Sequence, residues 1–338
     1  MSTVYYDDDA DTEVLAGAAV AVIGYGNQGH SQALNLRDSG LDVIVGNIED
    51  EYHAQAVSDG FEVTPIANAV ARADVVMLLI PDEAMPAVYD ADIAPNLTDG
   101  DLLCFASGYN VAFEQIVPAP GLDVILIAPR MIGPGVRDTY LSGEGFPSFV
   151  GVHQDPTGTA KARMLGLARA MGSTRAGCIE MSLHDEATLD LFTEQAFGPA
   201  FGSVLLTAIE TLVGAGYPPE AVLLELILSG EFEYTFTKIR EVGMLKQMEY
   251  HSHTSQYGSL TRGVKFAELI GPLQERMGEV LENIRSGEFC REWSGERQDS
   301  MKRLEDLKAL RDQMPFAEWE QRARSAFRMD RATRTRDS

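Results

Sequence analysis

Up to about Glu180 the chain alternates short apolar runs with stretches whose apolar residues recur at helical spacing. Val20 to Ile23, Leu41 to Val45, Phe61 to Val63, Val75 to Ile80, Leu102 to Ala106, Val124 to Ile127 and Phe149 to His153 read as strands. Ala33, Leu34 and Leu36 among polar residues mark a helix, and Ala54 to Gly60, Ala67 to Ala73 and Gly158 to Met171 mark three more. Strands alternating with helices predict a parallel sheet covered on both faces. Such sheets bind ligands beyond the carboxyl ends of their strands. The loops Ser107-Gly108-Tyr109-Asn110 and Pro129 to Arg137 are therefore the expected floor of an active site.

Beyond Ile179 the pattern changes to long helical periods with almost no β-branched runs. Ala187 to Ala215 is apolar nearly all round, as one helix or two, and such a helix is buried in a core or a subunit interface. Gly216-Tyr217-Pro218-Pro219 ends it, and Glu220 to Ile239 starts again. The expected organisation is an α/β domain at 1–182, an all-α domain at 183–325 and a disordered tail at 326–338.

The strand Val20 to Ile23 runs straight into Gly24-Tyr25-Gly26-Asn27-Gln28-Gly29 and then into a helix that Gly40 can close before the next strand. Strand, glycine loop, helix and strand within about 30 residues form the dinucleotide-binding βαβ unit of a Rossmann-type domain. The glycines serve a tight turn, close approach of backbone to pyrophosphate and close packing of helix on strand, and the pyrophosphate meets free N–H groups at the helix N-terminus.

Composition narrows the partners. With 338 residues, 45% hydrophobic and 23% charged, the chain can bury a sizeable core. A net charge of −24 excludes a broad phosphate-binding surface and so a nucleic-acid partner. Only Arg322 to Arg336 is arginine-rich, and it reads as a frayed end. No uninterrupted apolar run approaches the ~20 residues of a membrane span, and the acidic N-terminus is unlike a signal peptide, so no membrane partner and a cytoplasmic location are expected. Cys104, Cys178 and Cys290 are scattered, without disulfide or zinc spacing.

Asp190 and Glu194 stand four apart in the apolar helix, so their carboxylates share a face and can converge on a cation. Buried carboxylates need a metal or cationic partners. Few basic residues lie nearby in sequence, which favours a hard cation such as Mg²⁺ over arginine pairing, with Glu225 in the next helix a third candidate ligand.

These motifs identify a resemblance. YYDDDAD, VAVIGYGNQGHSQALNLRDSG, LLIPDEAM, VHQD, TRAG, LDLFTEQ, AGYPPE and GEFCREW, spread from the start to about residue 296, are similar to the ketol-acid reductoisomerase family. Members rearrange an acetohydroxy acid and reduce it with a nicotinamide cofactor, on a Rossmann domain followed by a helical domain that intertwines in a dimer. The resemblance implies Mg²⁺ on Asp190 and Glu194, Glu225 reaching the second ion of a partner subunit, and Ser252 on the substrate carboxylate. By the same match Arg130 takes the place of the active-site lysine. Cofactor contacts are expected at Gly24, Tyr25, Gly26, Asn27, Gln28, Gly29, Asn47, Pro81, Asp82, Ser107, Gly108 and Gly133.

The departures are specific. The family's HGFN loop reads Ser107-Gly108-Tyr109-Asn110, so its histidine is absent; the second glutamate of the pair begun by Glu225 is Ser229; and His251 and His253 flank Ser252. An alkyl shift needs two ions holding adjacent oxygens, and Ser229 removes a charged ligand from the second. The leading expectation is therefore a Mg²⁺-assisted reductase of a small keto acid with a doubtful isomerase step. The standard bifunctional enzyme is its first alternative and a non-catalytic nucleotide-binding paralogue the second. After the second strand, Asn47-Ile48-Glu49-Asp50-Glu51-Tyr52 offers three acids and no lysine or arginine. An acid here accepts hydrogen bonds from the ribose hydroxyls of NADH, whereas a 2′-phosphate at ~4 Å from one carboxylate is repelled by ~1 kcal/mol or more in water. NADH is expected over NADPH, with Glu49 or Asp50 on the ribose, in a homodimer or higher homo-oligomer.

Overall fold

The structure, a computed structural model, describes residues 2–295 and 297–329. The chain divides into two compact units, Met1–Asp190 and Leu191–Ser338.

The first unit is built on one nine-stranded sheet. Its strands are β1 (Val4–Tyr5), β2 (Ala19–Ile23), β3 (Asp42–Gly46), β4 (Glu62–Thr64), β5 (Val75–Leu78), β6 (Leu102–Phe105), β7 (Asp123–Pro129), β8 (Ser148–Gln154) and β9 (Cys178–Glu180), in the order β1-β9-β8-β7-β6-β5-β2-β3-β4. From β4 to β7 all neighbours are parallel, with Val20 paired to Val43 on one side and to Val75 on the other. The expectation of a wholly parallel sheet needs correction at one edge, where β8 runs antiparallel to β7 and β1 antiparallel to β9. β8 starts beside the end of β7, with Ser148 paired to Pro129, so α6 (Gly133–Ser142) leaves and returns at the same end of the sheet and makes no crossover. The helix α6 also occupies much of what the sequence suggested was a loop from Pro129 to Arg137.

Both faces of the sheet are buried, which is why its strands read as continuous apolar runs. Val20, Val22, Val75, Met77, Leu102 and Cys104 face one core with Leu36 of α1 (Asn27–Asp38) and Leu167 of α7 (Ala160–Met171). The intervening Ala21, Ile23, Val76, Leu78, Leu103 and Phe105 face the other, with Ala69 of α3 (Ile66–Val70). Completing this unit are α2 (Glu51–Ser58), the single turns α4 (Met85–Val88) and α5 (Tyr109–Ala112), and the start of α8 (Leu183–Phe192).

Every element of the second unit among its described residues is a helix. A π-helical turn, Thr193–Phe197, leads into α9 (Gly198–Gly214); α10 (Pro219–Leu223) continues through a second π turn, Leu224–Leu228, to a break at Gly230 (φ +79°). The helix expected over Glu220 to Ile239 is thus two, the latter being α11 (Glu231–Val242). Then follow α12 (His253–Gly263), α13 (Ile270–Arg285), α14 (Glu288–Ser294), α15 (Arg297–Asp312) and α16 (Pro315–Ala326). A small core joins Ile209, Val222, Leu223 and Ala323 with Phe316 and Trp319 beside them.

Two further expectations change here. The arginine-rich end is not frayed where it is described: α16 packs on α10, and Arg322 grips Glu220 Oε1 through Nε and Nη2 at 2.9 and 2.6 Å. Of the expected disordered tail, 330–338 lie outside the described residues. Leu183–Gly214, 32 residues, is also long and apolar enough to cross a membrane by length and composition, a test that counting uninterrupted apolar runs missed because isolated polar residues punctuate it. Core and interface helices of soluble proteins pass the same test.

Candidate active site

The carboxyl ends of β2, β5, β6 and β7 lie on one side of the sheet, and the loops after them are strung together by hydrogen bonds. Gln28, in the first turn of α1, donates from Nε2 to the Met131 carbonyl after β7 at 2.9 Å. Asn110 donates from Nδ2 to Asp82 O and Oδ1 after β5 at 3.1 and 3.2 Å. The Gly108 N–H after β6 donates to Glu186 Oε2 on α8 at 2.6 Å, and Arg130 after β7 reaches the same glutamate.

The glycine loop has the shape its composition requires. Gly24 sits at φ +92°, and a Cβ there would meet Ile80 Cγ2 at 2.7 Å. A Cβ on Gly29 would fall 2.0 Å from the Gly24 carbonyl oxygen, so this glycine sets how closely α1 approaches β2. Around Gly26 nothing lies within 4 Å of such an atom, and Gly26 caps α1 without a side chain. The first-turn N–H groups of α1, at Asn27 and Gln28, are thus available to an anion from the open side. Gly133 opens α6 against Asn27, whose carbonyl oxygen would be 2.0 Å from an added Cβ; here glycine serves helix packing.

Several residues expected at the cofactor spend their side chains on the protein. Tyr25 is buried; its hydroxyl donates to Asp59 Oδ2 at 2.9 Å, and its ring packs edge-on to Phe61 and His30. Burial, then the Asp59 carboxylate, push its pKa well up. Asn47 accepts the Tyr25 N–H on Oδ1 at 3.3 Å and donates from Nδ2 to Ile48 O and Asp50 Oδ1 at 2.9 and 2.8 Å, locking the loop after β3 to the glycine loop. Asp50 caps α2 by accepting the His53 N–H at 2.9 Å, while Glu49 stays exposed.

The acids differ more sharply from expectation. Arg130, 60 residues away in sequence, donates from Nη1 to Asp190 Oδ1 at 2.7 Å and from Nη2 to Glu186 Oε1 at 2.8 Å. Asp190 therefore does have the arginine partner that the local sequence did not offer. It is not buried either, its side chain being 39% exposed, whereas Glu186 is completely buried. That burial, against the opposing pull of the Gly108 N–H and Arg130 and aided by repulsion from Asp190, pushes the Glu186 carboxyl up to about 7. Glu186 was not singled out in the sequence, because an acid in a first helical turn reads as ordinary dipole compensation. The only local hint was its place one turn before Asp190.

In the second unit Glu194 and Glu225 are exposed, each within a π turn. Ser252 caps α12, its Oγ accepting the Ser255 N–H at 3.2 Å, with His251 half-buried before it and His253 exposed after it. Among the described residues no three His, Cys, Asp or Glu side chains are grouped to hold a metal. The donors fit Mg²⁺ in kind rather than in number: Asp190 offers a carboxylate with a partly exposed side chain, a hard oxygen donor of the kind this ion takes.

Comparison with known proteins decides the family. Residues 14–177 match the acetohydroxy acid isomeroreductase NADPH-binding domain, and residues 183–329 the ketol-acid reductoisomerase C-terminal domain. The chain belongs to the ketol-acid reductoisomerase family. An NADH-preferring ketol-acid reductoisomerase from an uncultured archean is 34% identical, with a TM-score of 0.89 over 96% of this chain and 98% of that one. A semialdehyde dehydrogenase NAD-binding protein from Cupriavidus necator, solved with calcium and NAD, is 18% identical over 80% of this chain and 99% of its own (TM-score 0.59). A putative oxidoreductase from Jannaschia sp. CCS1 is 16% identical over 79% and 97% (TM-score 0.58). These last two share the fold alone. As a ketol-acid reductoisomerase family member the chain is an NAD(P)H-dependent oxidoreductase acting on small keto acids, in a family of branched-chain amino-acid biosynthesis.

Proposed function

We propose that this protein catalyses the complete ketol-acid reductoisomerase reaction, the alkyl shift of an acetohydroxy acid followed by its reduction. What carries the reading is the presence of both family domains in order, with 34% identity to a ketol-acid reductoisomerase over 96% of the chain. When bound, the nicotinamide supplies hydride and Mg²⁺ polarises the adjacent substrate oxygens. The chain's own part is to hold and orient. The N-terminus of α1 receives the pyrophosphate; Asp190 and Glu194 hold an ion, with Glu225 supplied by a second copy; Ser252 anchors the substrate carboxylate; and Arg130 keeps a fixed positive charge beside Asp190.

A second reading, a reductase that has lost the shift, is favoured by the Arg130 fork on Glu186 and Asp190 together with Ser107 and Ser229 in place of a histidine and a glutamate. Steady-state turnover of acetolactate and of 3-hydroxy-3-methyl-2-oxobutanoate, with Mg²⁺ and either cofactor, separates the two. Consumption of both supports the full reaction; use of the rearranged compound alone selects the reductase.

We infer further that NADH is preferred. Asn47 holds the Asp50 carboxylate where β3 ends, and no lysine or arginine lies between Asn47 and Tyr52 to meet a 2′-phosphate. The enzyme is expected to work in the cytoplasm as a homodimer or larger homo-oligomer. Phe197, Phe201 and Val204 are 51, 40 and 63% exposed on one chain, apolar side chains of the kind a second copy would cover. Sedimentation of a monomer at micromolar concentration would count against assembly.

A further inference from the structure

The fork of Arg130 is lopsided. At one end Glu186 is fully buried and is held by the Gly108 N–H as well. At the other end Asp190 is 39% exposed. The guanidinium has two more anchors on the Glu186 side, an Nε–H to the Ala128 carbonyl at 3.3 Å and the face of Phe149, 4.9 Å from its centroid. An arginine so held cannot leave by losing its proton, as a lysine could, because the guanidinium stays charged at any working pH. It can only turn about its buried anchors.

We propose that Arg130 is a resident counter-cation of Asp190 that a divalent ion must displace, so that metal entry turns the guanidinium off Asp190 and leaves it on Glu186, Ala128 and Phe149. This rests on the reading of Asp190 as a metal ligand. The contact that breaks is the solvent-facing one, where an ion pair is worth least; those that remain are the buried ones. Arg130 then acts as a positioning residue: it keeps the carboxylate oriented before the ion arrives and raises the ion concentration needed to load the site.

The test is Mn²⁺ binding to the full chain without substrate or cofactor, followed by calorimetry and by the paramagnetic signal of free ion. Wild type is compared with R130K, R130Q and D190N. R130K retains a charge for Glu186 but lacks the fork that spans both acids, which guards against loss of fold in R130Q. Removing the competing cation is expected to tighten binding about tenfold in R130Q and several-fold in R130K, as one unit charge beside a divalent ion implies. D190N should bind far more weakly than wild type. Unchanged or weaker binding in both Arg130 variants, with D190N impaired, overturns the displacement and leaves the metal site standing. Binding by D190N equal to wild type, or no binding by any of the four proteins, overturns both.

Discussion

Glu186 makes stability depend on pH in a direction opposite to that of most paired carboxylates. Burial pushes its carboxyl up to about 7 from an ordinary 4.5, despite the Gly108 N–H and Arg130 at its two oxygens. Between those pH values the folded chain keeps a proton that the unfolded chain has released. Stability from this group is therefore complete below the unfolded value and is lost as pH rises through the folded one. At 1.36 kcal/mol per pH unit, a separation of about 2.5 units amounts to about 3 kcal/mol across the window. Glu186→Gln keeps an oxygen for the Gly108 N–H and removes the titration. Urea unfolding of both proteins from about pH 5 to about pH 8, at fixed ionic strength with EDTA present, gives the two pH profiles. The variant should gain on wild type by up to about 3 kcal/mol as pH rises. Parallel profiles across the whole range would show that Glu186 is ionised in the fold at every pH, and that Arg130 outweighs burial.

Three other substitutions probe the cofactor half of the site. Asn47→Ala removes the bonds that tie the loop after β3 to the glycine loop, and fluorescence titration should show NADH and NADPH weakened alike, by about tenfold; an effect on one cofactor alone would mark Asn47 as a direct ribose ligand. Asp50→Ser keeps a cap for α2 but removes the charge, so kcat/KM for NADPH relative to NADH should rise about fivefold or more, and an unchanged ratio would shift the discrimination to Glu49 or Glu51. Gly29→Ala puts a methyl 2.0 Å from the Gly24 oxygen and should cost about 1–3 kcal/mol of stability together with NADH binding; a variant that binds normally would disprove the close approach.

The strands were legible because a sheet buried on both sides leaves long apolar signatures, and each from β2 to β8 lies within a residue or two of its sequence pattern. The strands β1 and β9 were not, since they have two and three residues and no period to detect. The glycine loop was legible for a different reason: strand, turn and helix follow without interruption, so local chemistry alone defines them. The acid site was read only in part. Asp190 stood out as a carboxylate in an apolar helix, but its partner Arg130 follows β7, 60 residues earlier, and no local pattern links positions 130, 186 and 190. The apolar pattern around Glu225 predicts one uninterrupted helix, whereas the π turn at Leu224–Leu228 and Gly230 divide that stretch.

Those π turns bear on how a protein stores direction. Glu194 and Glu225 each lie in a five-residue segment that carries more chain per turn than the α-helix around it. Every residue of an α-helix turns the next by about 100°, so dropping one residue from Thr193–Phe197 would rotate all that follows by that angle against all that precedes. Such a chain could keep every acid in its inventory and still aim Glu194 elsewhere. The bearing of these carboxylates is thus written as a length. A shortened homologue aligned with a gap at this point would look intact by residue identity while its helix phase had changed.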